Sequence, residues 1–342
     1  MTTSLKAVLS RPGTIELRSI EVAPPPAGWA VVRVRNCGIC GSDLHFFRGE
    51  FPLGDKIALG HEISGEVVAV GEGESGVSAG ERVVIEPLIV CRRCSFCRDG
   101  NRQLCADRQL IGTAVDGGLA EHITVPDYTL HRLPIEVPFH VGALAEPLAV
   151  CVHGLRLVDL QPSERVLVLG AGAIGLLAVV VAREMGASTI AVSARHPHQE
   201  AEARRLGADE VFASDGSELS SYTARQPFDV VVETVGGEGD TLATAITAAR
   251  PGGRISLLGI FTRPVSIHPV ALLLKEVRLV GSITYGSPGG ASDFAAAIDI
   301  LGRRWFDLEP LVTSRVPLRE VGSAFKAAMD KSRGTIKVTV EP

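Results

Sequence analysis

Apolar positions along the chain fall into two textures. Through about residue 150 they come in short, valine-rich runs: Lys6–Leu9, Ala30–Arg35, Gly65–Val70 and Arg82–Ile85. Proline and glycine separate them, as at Pro24-Pro25-Pro26 and across Gly71–Gly80. Short strands punctuated at this pace predict an antiparallel, barrel-like fold. Near Pro162 the texture changes. Arg165-Val-Leu-Val-Leu169 is a continuous apolar run, as expected of a strand buried on both faces. Further runs follow at Thr189–Val192, Glu210–Phe212, Asp229–Val232 and Arg254–Leu258, alternating with helical stretches through Leu206 and over Thr241–Ala249. That alternation predicts a doubly wound parallel sheet. Beyond Tyr285 the pattern predicts a helix over Ser292–Leu301 and a last strand over Thr335–Val340.

Composition narrows the class. The 342 residues are 46% hydrophobic and 21% charged, with net charge −5, so two folded domains fit the length and disorder does not fit the composition. A nucleic-acid binder carries a basic surplus, and this chain does not. The longest apolar run, around Gly175–Ala182, falls short of a membrane span. The opening Met-Thr-Thr-Ser-Leu-Lys lacks the apolar core of a signal peptide, which points to the cytoplasm. There, seven cysteines are expected as thiols or metal ligands.

Four of them, Cys91, Cys94, Cys97 and Cys105, lie within fifteen residues as Cys-x2-Cys-x2-Cys-x7-Cys. Four thiolates complete a tetrahedral zinc and leave no position for chemistry, so this set reads as structural. Arg92, Arg93 and Arg98 inside it read as a solvated loop surface. Cys37 and Cys151 read as core thiols, and His153 as packing.

Gly170-Ala-Gly172-Ala173-Ile174-Gly175 follows the buried run at once and opens a helix, the strand–turn–helix context of a dinucleotide site. The first glycine serves the tight turn, the second the approach of the pyrophosphate, the third close helix–strand packing. A carboxylate at the end of the next strand binds the ribose 2′-hydroxyl of NAD. Here the sequence is Ser193-Ala194-Arg195-His196. A neutral stretch followed by arginine suits a 2′-phosphate, so NADP is the expected cofactor, with NAD the alternative.

A second donor set lies elsewhere: Cys40-Gly-Ser42-Asp43-Leu-His45, then Gly60-His61-Glu62, then Glu146-Pro147. Cysteine, histidine and carboxylate are the ligands of a catalytic zinc that keeps one position open. One thiolate and one carboxylate balance the metal charge and leave it able to polarise an alcohol or carbonyl. A second carboxylate ligand would close the site, so Glu62 and Glu146 are not expected to bind together with substrate. The sequence leaves open which of the two yields.

Taken together, Cys40–His45, Gly60–Glu62, the four-cysteine lobe, Glu146-Pro-Leu-Ala-Val150 and Gly170–Gly175 resemble the zinc-dependent medium-chain dehydrogenases/reductases, in the sorbitol (polyol) and threonine dehydrogenase branch. The resemblance spans essentially the whole chain. It implies an α/β protein: a GroES-like catalytic domain over 1–150 and 291–342, with a zinc lobe near 86–110, and a Rossmann domain over 151–290. It implies two zinc ions per chain and a homodimer or homotetramer built partly through the Rossmann sheet edge. It also implies catalytic-zinc roles for Cys40, His61 and Glu62 or Glu146, an orienting role for Asp43, and a proton relay through Ser42 and His45 by way of the cofactor ribose. The alternative reading of Ser42 is a cap on the helix that follows it, a role compatible with the relay.

The chain departs from polyol dehydrogenases at Thr284, where that branch has arginine, and at Phe46 and Phe47, which lack hydroxyls. Lost donors disfavour polyhydroxylated substrates. The expected activity is hydride transfer between NADP(H) and a secondary alcohol or ketone, with a polyol or cyclic hydroxy compound as further candidates. The alternatives are an NAD-dependent polyol dehydrogenase, a zinc-free reductase, and a non-catalytic scaffold of the same fold.

Overall fold

The computed structural model describes residues 2–52, 57–214 and 216–342, and the chain divides into two compact units. One comprises 1–146 and 286–342, the other 147–285.

In the first unit, strands Thr2–Arg11 and Thr14–Val22 form an antiparallel hairpin. A larger sheet runs in the order Val312–Pro317, Lys337–Glu341, Trp29–Gly38, Glu62–Val70, Arg82–Ile85 and Leu130–Arg132, with His122–Pro126 also pairing Trp29–Gly38. Its pairs are antiparallel except the first, which is parallel. The valine-rich runs of the sequence are its strands, and Ala30, Val32, Val34, Val67, Val83 and Ile85 fill its core. The C-terminal strand closes this unit: Val340 pairs with Cys37 and Thr339 with Gly38. Residues 286–342 thus complete the sheet that the N-terminal residues begin.

The second unit holds a parallel sheet in the order Glu210–Ala213, Thr189–Ala194, Arg165–Leu169, Phe228–Glu233, Ala249–Leu257, Arg278–Gly281. The order reverses beside the first strand, which is the doubly wound arrangement with its crevice at the strands' carboxyl ends. Val166, Leu167 and Val168 are fully buried, as a both-faces strand requires. Helix Ala173–Glu184 covers the sheet with an almost wholly buried run, Gly175–Ala182. Among the described residues, no helix is long and apolar enough to cross a membrane.

Candidate active site and metal centres

The catalytic donor set is assembled by two segments of the first unit. Cys40 is the N-cap of helix Gly41–Arg48, and its backbone N–H donates to Asp43 Oδ2 at 2.9 Å. The helix therefore starts two residues earlier than a Ser42 cap would place it. Cys40 caps it, and Ser42 lies within its first turn, so the alternative capping role of Ser42 is not found. His61 and Glu62 stand at the start of strand Glu62–Val70, which pairs with the strand leading to Cys40. Donor atoms of Cys40, His61 and Glu62 lie within 4.8 Å of one another. Gly38 makes room for this cluster: a β-carbon there would meet Glu62 Oε2 at 1.9 Å.

The buried polar atoms point to a missing occupant. Glu62 Oε2 and His61 Nδ1 are buried without a hydrogen-bond partner. His61 Nδ1 lies 3.8 Å from Asp43 Oδ1, which leaves Nε2 as the ring nitrogen for the Cys40 side. Burial opposes protonation of His61, but the charges of Asp43 and Cys40 outweigh it and hold the imidazole well above its usual range. A cation seated among these donors would replace that proton. The soft thiolate, imidazole nitrogen and carboxylate are the donor chemistry of zinc.

Two residues surround the set. Asp43 is fully buried, accepts from Cys40 and Gly60 N–H groups, and has its carboxyl raised by burial. Glu146 lies in the first turn of helix Ala145–Leu157. It is buried and falls outside the tight cluster, yet its charge couples to those of His61 and Glu62. Burial, with the charges of Glu62 and Asp43, pushes its carboxyl up to about 7.

The sequence reading missed Lys337. Its Nζ donates to Glu62 Oε1 at 2.5 Å and to the Ile39 carbonyl at 3.1 Å, and the lysine is 4% exposed against 0% for Glu62. Burial works against its charge, and Glu62 more than compensates, so its ammonium is held above the usual range. The available signal was a lysine inside an apolar strand, between Ile336 and Val338.

The four-cysteine lobe is a separate cluster. The sulfurs of Cys91, Cys94, Cys97 and Cys105 lie within 4.8 Å of one another, with Cys91–Cys97 at 3.9 Å and Cys91–Cys105 at 3.6 Å. Zinc–sulfur bonds of about 2.3 Å put tetrahedral sulfurs about 3.8 Å apart, so the cage fits that ion. All four are free thiols. The N–H groups of Arg93 and Cys94 lower the Cys91 thiol to about 6. The two remaining cysteines, Cys37 and Cys151, are buried in the core, as is His153.

The glycine turn occupies the expected place after Arg165–Leu169. Gly170 has φ +98°, and a β-carbon on Gly175 would strike the Gly170 carbonyl at 1.8 Å. A β-carbon on Gly172 would meet nothing within 4 Å, which leaves the approach to this helix start open. Gly172 is the N-cap, and Ala173 and Ile174 begin the helix whose free N–H groups suit a phosphate. Ser193 Oγ accepts from Gly170 N at 3.0 Å, so its hydroxyl braces the turn. Ala194 ends its strand, and Arg195 follows it, exposed. Among the described residues, no hydrogen bond or ion pair engages the Arg195 guanidinium.

Glu233 was also unforeseen. It ends the adjacent strand fully buried, and Oε1 accepts from Val235 N, Gly236 N and Thr241 Oγ1 at 2.7–3.1 Å. It thereby fixes the loop after that strand. Phe47 stacks on Phe325 with ring centroids 4.8 Å apart, and Phe46 packs against the same core. Their role is packing, which weakens the sequence argument for a pocket poor in hydroxyl partners. Thr284 has φ +49° and a buried hydroxyl without a partner.

Comparison with known proteins agrees with this geometry. Residues 26–135 match the alcohol dehydrogenase GroES-like domain, and residues 173–303 the zinc-binding dehydrogenase domain. The chain is 35% identical to 2-dehydro-3-deoxy-L-galactonate 5-dehydrogenase of Pseudoalteromonas atlantica, over 93% of this chain and 92% of that one. It is 29% identical to sorbitol dehydrogenase of Bacillus subtilis, over 98% and 96%. A dehydrogenase structure from Sinorhizobium meliloti, bound to NADP, aligns over 100% of both chains with a TM-score of 0.91 at 30% identity. The chain belongs to the zinc-binding alcohol dehydrogenase family, in its sorbitol-like branch, and is an NAD(P)-dependent oxidoreductase acting on an alcohol.

Proposed function

We propose that the chain interconverts a secondary alcohol of a polyol or sugar acid and the matching ketone, with NADP(H) preferred. The observation that carries the reading is the cluster of Cys40, His61 and Glu62, whose ligand atoms lie within 4.8 Å of one another, with Glu62 Oε2 buried and unpartnered. These three residues would hold the catalytic zinc, which when bound supplies Lewis acidity to the substrate oxygen. NADP(H) supplies the hydride chemistry.

This chain's own residues do the rest. Asp43 orients His61 by facing its Nδ1. Glu146, outside the cluster and with its carboxyl near neutrality, exchanges a proton or a water with the site without closing it. Ser42 and His45, three residues apart on one helix face, carry the alcohol proton outward. Cys91, Cys94, Cys97 and Cys105 would hold a second, structural zinc, giving two per chain. The polyol class rests on relatives named for polyols and sugar acids, and on the packed positions of Phe46 and Phe47.

NADP preference rests on Arg195. It follows a strand end that offers no carboxylate, and its guanidinium is uncommitted to any described residue. Assembly as a homodimer or homotetramer is supported by the sheet edge Arg278–Gly281, which carries exposed Leu279 and follows exposed Leu273 and Leu274.

Kinetics with NADP+ and NAD+ across sorbitol, 2,3-butanediol, an aldonate and a simple ketone test the reading. The expected result is turnover of a vicinal diol with kcat/KM higher for NADP+. In R195A that preference falls about tenfold, as one charge-assisted phosphate contact implies. Equal or better use of NAD+ by the unmodified enzyme overturns the cofactor assignment.

A further inference from the structure

His45 sits in a clamp built by the end of its own helix. Gly49, left-handed at φ +74°, turns the chain back, and Glu50 N donates to the His45 carbonyl at 3.0 Å. The turn places the Glu50 carboxylate against the ring: Oε2 contacts His45 Nδ1. Arg48 grips the same carboxylate twice, Nε to Oε1 at 2.5 Å and Nη2 to Oε2 at 3.1 Å. Arg48 Nη2 also lies 3.1 Å from His45 Nδ1. Phe51 covers the imidazole with ring centroids 5.2 Å apart.

Among the described residues, two further neighbours bear on this helix. Asp43, the remaining ionisable group of the first turns, faces inward to the Cys40 and Gly60 N–H groups. Helix Val321–Met329, packed on this one, meets it through Phe325 against Phe47.

A neutral imidazole has one N–H and one acceptor nitrogen. Hydrogen bonds from Arg48 and His45 lower the Glu50 carboxyl to about 2, so it is an acceptor only. Its contact with Nδ1 therefore requires hydrogen on Nδ1, and Nε2 keeps the lone pair. A bare carboxylate would overstabilise the imidazolium and trap the proton. The Arg48 charge at the same nitrogen offsets that pull.

We propose that Glu50 is a positioning residue that holds His45 as the Nδ1–H tautomer, with Nε2 the nitrogen that receives the relayed proton, and that Arg48 tunes its release. The inference rests on the relay role proposed above for His45. In the step itself a hydroxyl O–H breaks as Nε2–H forms, and Nε2–H then breaks to water, with Nδ1–H unchanged throughout. The logic is that of a carboxylate fixing a catalytic imidazole.

The test uses the full-length, zinc-loaded enzyme with NADP+ and 2,3-butanediol. The pH dependence of kcat/KM is measured for the unmodified enzyme, H45Q, E50Q and R48M, with 15N spectra of the histidine rings. H45Q and E50Q are each expected to lose about tenfold or more in kcat/KM. The acid limb of the profile moves to lower pH in E50Q and to higher pH in R48M. The spectra show Nδ1–H at His45 in the unmodified protein and mixed tautomers in E50Q. Shifts of the same sign in E50Q and R48M, or an Nε2–H tautomer in the unmodified protein, overturn the proposal. A damaging H45Q beside a silent E50Q overturns it alone, whereas a silent H45Q overturns the relay and the proposal with it.

Discussion

The two metal-ligand clusters reach similar compactness by opposite means. In the lobe, four chemically equal sulfurs come from one fifteen-residue stretch, and three of them remain partly exposed. In the catalytic cluster, three unlike donors come from two segments about twenty residues apart, and two are buried. The lobe balances its charges among thiols and backbone N–H groups. The catalytic cluster draws on a lysine from the far end of the chain. A closed local cage secures structure. A converged, partly unsatisfied set keeps donor capacity for chemistry.

The sharpest way to break this contrast is to remove one sulfur from each cluster. C40S should lower kcat/KM by about 1,000-fold or more and leave one zinc per chain, with the melting temperature nearly unchanged. C97S should lower the melting temperature by many degrees, because structural zinc contributes folding energy directly, while its remaining folded fraction turns over normally. Metal analysis with calorimetry checks both. Loss of activity without loss of stability in C97S would erase the distinction.

K337M comes next. It leaves the Glu62 charge buried and unpaired, which costs about 3–5 kcal/mol. The loss should be largest in metal-stripped protein and shrink when zinc is restored, since zinc can take over the countercharge. Denaturant unfolding with and without chelator reads the difference.

D43N is smaller. It removes the acceptor facing His61 Nδ1 and should weaken zinc at the catalytic cluster about 10–100-fold, leaving the lobe untouched. Competition with a metal-binding dye measures it.

The smallest effect belongs to Glu50. Its carboxyl falls from 4.5 unfolded to about 2 folded, so the ionised form favours the native state. That contribution is complete above pH 4.5 and is lost as pH falls toward about 2. E50Q should therefore flatten the decline of stability in that window, by a small amount because the group is near the surface.

The same contrast governs what the sequence disclosed. Arg165–Leu169 and Arg82–Ile85 appear where the apolar runs put them, because a buried strand writes its pattern locally. The lobe was legible for the same reason, its donors being spaced for one metal. Cys40, His61, Glu62 and Glu146 were found by donor type and resemblance, but their arrangement depends on strand pairing across distant segments. Glu233 and Glu50 left no such trace, and Lys337 only that of a charge set among apolar residues. Each matters through a partner chosen by tertiary structure: a buried carboxylate, a loop of N–H groups, a ring one turn away. Ser42 illustrates the limit at single-residue scale. A small hydroxyl ahead of a helical stretch suggested a cap, and the extended backbone of Cys40, at ψ 160°, started the helix earlier.

The bond from Lys337 to Glu62 joins residues 275 positions apart, with the whole nucleotide unit inserted between them. During synthesis, the carboxylate emerges 275 residues before the ammonium that answers it. Until then the half-built barrel carries an acid with no cation to answer it. The electrostatic balance of the catalytic pocket is therefore complete only once the strand Lys337–Glu341 has joined the sheet.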